Sequence, residues 1–518
     1  MALAKILWVD DEIDSLQSQK LFLETKGYEV KTVTNGFDAI DFVKENPVDV
    51  VLMDESMPGL TGLETLSKIK EVNSQIPVVL ITKNEEENLM DDAIGSQISD
   101  YIIKPVNPNQ VWLSLKKIID NKRLVSEKTT TAYQQQFRNL FMVLNSNPDH
   151  NEWMDIYKKL VYWELEMAKS DSPEMREVLQ SQKSEANTEF FKFVSKNYAS
   201  WVNPKSANAP VMSHNLFQFK VLPHAEKGTP LFFVLIDNLR FDQWKAIQPT
   251  FAESFRILEE DTFYSILPTA TQYARNAIFA GMLPVDIEKQ FTNEWKNDDE
   301  EGSKNLYEEK FFRAQLKRLK KDELRISYTK VVNNQAGIDL LNNIHNLLNN
   351  DINVIVYNFV DMLSHARTEM EVLKELAGDE MSYRSITTSW FEHSPLHQAL
   401  KKVADKNIKL VLATDHGSMR VKTPCKVIGD KQTTTNLRYK HGRNLNYEPK
   451  DVLAFRDPRE AGLPVPTVNS SFIFAREDNF LCYPNNYNHY VNYYRNTFQH
   501  GGVSLEEMIV PVIKMQSK

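Results

Sequence analysis

The chain has 518 residues, which at about 150 residues per domain predicts roughly three domains and excludes a single small module. Its 61 Lys and Arg residues against 70 Asp and Glu residues give a net charge of −9, the wrong sign for a protein that coats DNA nonspecifically. Only two cysteines are present, so a disulfide framework is excluded and any metal must be held by His and carboxylate side chains. No apolar run is long enough for a signal peptide or a membrane span, and we expect a cytoplasmic protein.

Residues 1–122 alternate short β-branched runs with amphipathic stretches, which predicts a doubly wound parallel sheet of five strands. The runs are KILWV (5–9), YEVKTV (28–33), VDVVLM (48–53), IPVVLI (76–81) and DYIIK (100–104). The ligand of such a sheet lies beyond the carboxyl ends of its strands, where the sequence places Asp10, Asp11, Asp54, Thr82 and Lys104. Three carboxylates at one point indicate a Mg²⁺ ion, and the lysine and threonine would suit a phosphoryl group.

The segment DESMPGLTG (54–62), together with the strand-end residues, resembles the receiver domain of two-component response regulators. The resemblance implies that Asp54 is the phosphoacceptor for a histidine kinase and that Asp11 and Asp54 bind Mg²⁺. It implies a receiver active site completed by Asp10, Thr82, Tyr101 and Lys104. Lys83 departs from the pattern, because receivers usually carry a small residue there, and it leaves the lifetime of phospho-Asp54 open.

Residues 123–205 lack strand-like runs and show apolar recurrence at helical spacing. We predict a three-helix bundle or linker with helices near 132–147, 151–169 and 173–200, followed by a proline-containing connection over 203–215. No helix-turn-helix with a basic patch appears, so a direct DNA-binding output is not supported.

Residues 206–518 return to alternation and predict a large α/β domain with buried strands. The runs are LFFVLI (231–236), INVIVYNFV (352–360), KLVLAT (409–414), SSFIFA (470–475) and MIVPVIK (508–514). Directly after or near them stand Asp237, Asp361, His365, Asp415, His416 and His500. Such a cluster of acids and imidazoles is costly unless metals neutralise it. Asp361 and His365 can share one ion across a helical turn, whereas Asp415 and His416 can bind the same ion or one each.

The segment PTATQYARNAIFAGML predicts that Thr271 lies near the N-terminus of a helix, where amide groups favour an oxyanion. A hydroxyl beside Zn²⁺ ionises more readily and becomes a nucleophile at neutral pH. Two such ions a few ångströms apart would stabilise the attacking and leaving oxygens of an in-line phosphoryl displacement. The acidic run NDDEEG (297–302) is predicted to be a solvated insert.

This constellation resembles the PglZ-type branch of the alkaline phosphatase superfamily. The resemblance implies two zinc ions, one held by Asp361, His365 and His500 and the other by Asp237, Thr271, Asp415 and His416, with Thr271 as the nucleophile. A threonine there is more similar to the phosphodiesterase and mutase-like members than to the serine-using monoesterases. The arginine that binds phosphate in some members has no certain counterpart; candidate substrate-binding residues are Arg275, Asn276, Lys440, His441 and Arg443.

A receiver joined through helices to a phosphatase-like domain is similar to the arrangement of the PorX family of response regulators. That resemblance implies control of type IX secretion, contact with an extracytoplasmic-function sigma factor or a secretion component, and a homodimer on phosphorylation. The leading hypothesis is a zinc-dependent phosphodiesterase acting on cyclic or linear oligonucleotides. The alternatives are a non-enzymatic signalling adaptor, and a phosphomutase or monoesterase on the same scaffold.

Overall fold

The computed structural model describes residues 4–73, 76–83, 98–169, 173–203, 206, 208–298, 300–358, 360, 378–430 and 433–518, with the backbone alone for 120–130. Contacts within the chain define two compact units. One ends at Tyr133, and the other contains residues 134–169 and 173–518. None of the described helices carries an apolar run long enough to cross a membrane.

The N-terminal unit contains the predicted five-stranded parallel sheet, in the order β2-β1-β3-β4-β5. Its strands are β1 (Lys5–Val9), β2 (Glu29–Val33), β3 (Val50–Asp54), β4 (Val78–Thr82) and β5 (Asp100–Ile103). Its described helices begin with α1 (Gln17–Thr25), α2 (Gly36–Glu45) and α3 (Gly62–Val72). One apolar cluster packs on each face of the sheet, so the central strands β1, β3 and β4 are buried on both sides.

Three long helices follow: α4 (Pro108–Leu144), α5 (His150–Ala168) and α6 (Pro173–Trp201). The predictions for the second and third helices are confirmed within two residues. The prediction of a separate first helix at 132–147 is wrong, because α4 is continuous from Pro108. The intervening TTTAYQQQ stretch is polar but has no Pro or Gly to stop a helix, so the composition change does not mark a helix end.

The C-terminal unit is built on a six-stranded mixed sheet in the order β7-β18-β10-β6-β9-β8. Its strands are β6 (Leu231–Ile236), β7 (Phe255–Tyr264), β8 (Ile326–Val331), β9 (Ile352–Tyr357), β10 (Lys409–Ala413) and β18 (Ile509–Ser517). β6, β8, β9 and β10 are parallel, whereas β18 runs antiparallel to both of its neighbours. Sequence analysis missed β7 and β8, whose burial is only partial and whose patterns mix charged and apolar residues.

The described helices of the mixed-sheet region are α7 (Phe241–Ser254), α8 (Thr271–Ala280), α9 (Pro284–Gln290), α10 (Glu308–Arg318), α11 (Asn334–Leu347), α12 (Glu380–His393) and α13 (Pro395–Val403). Smaller sheets contain β11 (Met419–Arg420), β12 (Thr423–Lys426), β13 (Tyr439–Gly442), β14 (Val452–Phe455), β15 (Ser471–Ala475), β16 (Asn479–Cys482) and β17 (Phe498–Gln499). The remaining helices are α14 (Tyr487–Tyr494) and α15 (Leu505–Met508). The predicted run 470–475 is therefore a strand of a separate antiparallel sheet, β13-β15-β14, and not of the main sheet.

A buried ion-pair network joins α5 and α6 to the core of the C-terminal unit. Its members are Glu164, Lys183, Arg240, Asp242, Glu380, Arg384 and Glu506. Lys183 Nζ lies 2.9 Å from Glu164 Oε2 and 3.0 Å from Glu506 Oε1. Arg240 makes two hydrogen bonds to Asp242, at 2.9 and 2.6 Å. Three cations among four acids explain why these carboxylates can be buried without a metal ion.

Replacing Lys183 should destabilise this part of the chain. In Lys183→Met, Glu164 and Glu506 lose a buried cationic partner, and breaking such a pair costs about 3–5 kcal/mol. We expect the free energy of unfolding to fall by that amount in chemical denaturation followed by tryptophan fluorescence, since Trp153 and Trp163 lie on α5.

The matched control is Lys192→Met on the same helix. Lys192 is exposed and pairs with Glu189 at 2.7 Å in solvent, so its loss should cost less than about 0.5 kcal/mol. Equal effects of the two substitutions would contradict a stabilising role for the network.

Candidate metal centre

The centre begins with two aspartates at the ends of neighbouring parallel strands. Leu235 of β6 pairs with Ala413 of β10, and the same register places Asp237 beside Asp415 two residues later. Both carboxylates are buried, with 1% and 0% of their surfaces exposed. Burial, with the nearby charge of Asp237, raises the pKa of Asp415 well above its ordinary value. A cation between these two buried carboxylates would stabilise their ionised forms.

His416 and Thr271 complete this group. Thr271 Oγ1 lies 3.0 Å from His416 Nε2 and 3.3 Å from Asp237 Oδ1, and Thr271 is the first residue of α8. His416 Nδ1 donates to the Gly417 carbonyl at 3.0 Å, which leaves Nε2 to accept or to bind a metal. A Cβ on Gly417 would lie 2.0 Å from the Glu506 carbonyl oxygen, so this turn needs glycine.

The chemistry of this group fits a metal ion. Ligand atoms of Asp237, Asp415 and His416 lie within 4.8 Å of one another. Asp415 Oδ2 is buried and accepts no hydrogen bond from the residues that the structure describes. A buried carboxylate oxygen of this kind is costly in the protein alone and is a natural ligand for a cation. The carboxylate and imidazole donors are those of catalytic zinc sites.

His500, a member of the second predicted set, lies against this group. Its ring stacks on that of His416 with centroids 4.3 Å apart. His500 Nδ1 lies 3.3 Å from the Thr269 carbonyl oxygen, which holds the ring beside the turn that precedes Thr271. Asp361 and His365, the other predicted ligands of that set, lie outside the described residues.

Arg275 occupies a position that sequence analysis did not foresee. One helical turn after Thr271, its guanidinium is 2% exposed. Arg275 Nη1 donates to Asp237 Oδ2 at 2.7 Å, and Nε donates to Glu308 Oε1 at 2.5 Å. Nη1 also lies 3.2 Å from Asn358 Oδ1, at the end of β9. These contacts suit a residue that orients Asp237, and no sequence motif marked Glu308 or Asn358 as its partners.

The other predicted substrate-binding residues divide into two groups. Asn276 donates to the carbonyls of Gln272 and Lys304, and the exposed Arg443 donates to Thr467 Oγ1. Lys440 donates to the carbonyls of Thr434 and Asn436. These two cations and one amide therefore each have hydrogen-bond partners of their own, and the three do not converge on a shared phosphate site.

His441 belongs to a cluster centred on Asp298. The Nε2 atom of His441 lies 3.1 Å from Asp298 Oδ2, and the hydroxyls of Tyr273 and Tyr439 donate to the same oxygen at 3.0 Å. Tyr273 lies on α8, so this cluster contacts the helix that begins with Thr271. The prediction that the NDDEEG run is a solvated insert is wrong at Asp298, because its carboxylate accepts hydrogen bonds from the Tyr273 and Tyr439 hydroxyls.

The receiver unit holds its own group of acids at the carboxyl end of its sheet. Val9 pairs with Met53, so Asp10 lies beside Asp54. Lys104 Nζ lies 3.1 Å from Asp10 Oδ2 and 2.9 Å from Asp54 Oδ1. Asp10, Asp11 and Asp54 offer oxygens within 4.8 Å of one another, and burial raises the pKa of Asp54. This donor set fits Mg²⁺.

The remaining predicted receiver residues, Thr82 and Tyr101, lie on β4 and β5. Thr82 ends β4, the strand beside β3, and is 3% exposed, whereas Tyr101 on β5 is 43% exposed. The Lys104–Pro105 peptide is cis. A Cβ on Gly62 would lie 2.5 Å from the Asp54 carbonyl oxygen, which explains the glycine at the start of α3.

Models of three protein families match this chain, one for each of its predicted regions. The model described as the BREX system PglZ alkaline phosphatase-like domain matches residues 216–515, more than half of the chain. The chain belongs to the PglZ alkaline phosphatase-like family. The PorX response regulator linker domain matches residues 123–202, and the response regulator receiver domain matches residues 6–116. The molecule is thus a response regulator with a PorX-like architecture, and its PglZ domain indicates a phosphoesterase-type hydrolase.

Individual relatives match about a quarter to a third of the chain. The transcriptional regulatory protein ZraR of Klebsiella oxytoca is 34% identical over 132 residues, 26% of this chain and 30% of ZraR. The phosphoglycerate transport system transcriptional regulatory protein PgtA of Salmonella typhimurium is 29% identical over 154 residues, 30% of this chain and 35% of PgtA. The chain thus spans about a third of the length of these two relatives.

Among solved structures, a response regulator receiver domain protein from Clostridium thermocellum is 32% identical. The match covers 23% of this chain and 98% of that chain, with a TM-score of 0.22. Receiver domains typically bind Mg²⁺, and alkaline phosphatase-like domains depend on metal ions. The PglZ domain and the receiver of this response regulator therefore each have a residue set suited to a cation.

We expect Arg275 to control metal affinity through Asp237. Arg275→Gln removes the donor at 2.7 Å from Asp237 Oδ2 and should weaken zinc binding by about 10- to 100-fold, as losses around metal ligands typically do. The measurement is zinc retention against a competing chelator. The control is Arg313→Gln on α10, an exposed arginine paired with Glu309, which should leave retention unchanged. Unchanged retention in Arg275→Gln would count against the orienting role.

Proposed function

We propose that this response regulator is a phosphorylation-controlled, zinc-dependent phosphodiesterase that acts on cyclic or linear oligonucleotides, with Thr271 as its nucleophile. The observation that carries the proposal is the position of Thr271 Oγ1, 3.0 Å from His416 Nε2 and 3.3 Å from Asp237 Oδ1. The presence of threonine at this position supports a diester rather than a monoester substrate.

Asp237, Asp415 and His416 would hold one zinc ion with Thr271, and Asp361, His365 and His500 would hold a second. Bound zinc supplies positive charge that eases ionisation of a hydroxyl and stabilises phosphoryl oxygens. Arg275 keeps Asp237 in place, and the Gly417 carbonyl fixes the His416 tautomer. The first amides of α8 favour the phosphate anion next to Thr271.

The reaction that these residues support proceeds in two displacements. Thr271 Oγ1 gives its proton to solvent and attacks phosphorus, and the bond from phosphorus to the leaving alkoxide breaks; that oxygen takes a proton from solvent. Water attacks the phosphothreonine, which releases the second product and restores the hydroxyl. Of the substrate-binding candidates, we retain His441, because its cluster with Asp298 and Tyr273 contacts α8.

The receiver would control the proposed phosphodiesterase activity through its phosphorylation. A histidine kinase phosphorylates Asp54 with Mg²⁺ held by Asp11 and Asp54, and the protein then forms a homodimer. The match to the PorX linker domain supports a cytoplasmic regulator of type IX secretion that contacts an extracytoplasmic-function sigma factor or a secretion component. We propose the domain bounds 1–122, 123–205 and 206–518 for the receiver, the linker and the PglZ domain.

The test of the nucleophile is Thr271→Ala. With zinc supplied, wild-type protein should hydrolyse bis-p-nitrophenyl phosphate and short oligonucleotides, and the substitution should lower kcat by about 10³-fold or more, as loss of a nucleophile does. Thr292→Ala, at an exposed threonine, is the control and should retain full activity.

The same assay separates the alternatives. Chelation should abolish turnover, and readdition of zinc should restore it. Turnover of p-nitrophenyl phosphate alone would favour a monoesterase, and phosphoryl transfer without free phosphate would favour a mutase. No turnover of any ester by zinc-loaded protein would reject the enzyme in favour of an adaptor.

The phosphoacceptor is tested by intact-mass measurement after incubation with acetyl phosphate and Mg²⁺. Wild-type protein should gain one phosphoryl group and shift towards a dimer in size-exclusion chromatography, because Asp54 lies beside Lys104 at 2.9 Å. Asp54→Asn should gain none and remain in its original form. Asp41→Asn, at an exposed aspartate of α2, should behave like wild type.

A further inference from the structure

A cavity of about 350 Å³ lies between the segment around β13, strand β16 and helix α14 of the C-terminal unit. We call it the tyrosine cavity and define it by Leu437, Lys440, Leu481, Tyr483, Tyr490 and Tyr494. Its volume is in the range of about 300–1,000 Å³ that is typical of small-molecule sites. Its lining is mainly apolar and aromatic, with one charged side chain.

That charged side chain, Lys440, is 1% exposed. Its ammonium donates to the carbonyls of Thr434 at 3.2 Å and Asn436 at 2.9 Å, and it lies 4.1 Å from the centre of the Tyr483 ring. No carboxylate of the described chain pairs with it. Burial accordingly lowers the pKa of Lys440 to about 7. A buried cation with only neutral partners is costly, and an anion placed in the cavity would offset that cost.

The walls of the cavity favour a flat, apolar body. Tyr490 and Tyr494 stand one helical turn apart on α14, with rings inclined by 15° and centroids 6.2 Å apart. Tyr483 is fixed by its hydroxyl, which donates to the Thr434 carbonyl at 2.7 Å. Leu437 and Leu481 complete an apolar lining. Aromatic walls of this kind bind planar rings by stacking and edge contacts.

We propose that the tyrosine cavity is a binding site for a small planar aromatic ring that carries one anionic group, with Lys440 as the counter-ion. The ring lies among Tyr483, Tyr490 and Tyr494, and the anion meets the Lys440 ammonium. Free aromatic carboxylates and nucleoside monophosphates share this chemistry.

This site is separate from the metal centre. Side chains alternate along β13, and Tyr439 and His441 both contact Asp298, in the cluster that reaches α8. Lys440, between them in sequence, points to the other face of the strand. We therefore assign Lys440, which the sequence offered as a candidate substrate-binding residue, to the tyrosine cavity.

The probe is 4-fluorobenzoate, observed by ¹⁹F NMR on the full-length, zinc-loaded protein. We expect saturable binding by wild type and weaker binding by Lys440→Met, by about 10-fold or more, because a charge-assisted hydrogen bond is lost. The neutral 4-fluorobenzamide should bind weakly to both. Displacement of 4-fluorobenzoate by adenosine 5′-monophosphate would identify nucleoside monophosphates as the ligand class of the cavity, and no displacement would identify aromatic carboxylates.

Lys426→Met is the matched control, because Lys426 is an exposed lysine 5.2 Å from the Tyr487 ring and outside the cavity lining. It should bind 4-fluorobenzoate like wild type. Tyr490→Ala provides a second variant at a position that is 40% exposed, so its fold should persist, and its binding should weaken by about fivefold or more. Absence of saturable binding in wild type, or equal affinity in wild type, Lys440→Met and Tyr490→Ala, would overturn the proposal.

Discussion

The C-terminal unit depends on the pairing of β6 with β10 in one parallel register. That register brings two aspartates into direct proximity at a buried sheet edge, where burial and the charge of Asp237 raise the pKa of Asp415. Neighbouring groups reduce the repulsion between these two carboxylates. Arg275 donates to Asp237, and His416 lies near both carboxylates. One oxygen of Asp415 is left to bind a cation. The receiver also reduces repulsion between strand-end aspartates with a cation, because Lys104 pairs with both Asp10 and Asp54.

The linker helices reach the metal centre by two routes. Arg240, three residues after Asp237, belongs to the ion-pair network that includes Glu164 of α5 and Lys183 of α6. On the other side of the centre, the Tyr198 hydroxyl on α6 accepts a hydrogen bond from the Leu267 amide at 2.7 Å, just before the turn that carries Thr271. Both Asp237 and Thr271, the proposed nucleophile, therefore lie on segments that the linker helices contact. A shift of α6 would act on both segments.

The sequence predicted buried strands best where apolar residues are continuous. LFFVLI and KILWV match β6 and β1 residue for residue, because strands covered on both faces show uninterrupted apolar runs. β7 and β8 were missed because charged residues alternate with apolar ones on a half-exposed surface. The helix start predicted at residue 132 was wrong, because a helix continues until Pro or Gly residues interrupt it, and α4 has none after Pro108 up to Leu144.

The sequence by itself determined the fold of the receiver and the presence of a phosphatase-like domain, and it marked Asp237, Asp415 and His416 as candidate metal ligands. It could do so because these three side chains follow strands, and strand ends meet at one edge of a sheet, whereas Thr271 and His500 were assigned through the family resemblance. Only the tertiary structure decided the contacts of Arg275 and Lys440, because their partners Glu308, Asn358 and Tyr483 lie far along the chain or carry no motif. Whether a buried charge faces an acid or a neutral cavity depends on side-chain packing, which sequence spacing does not encode.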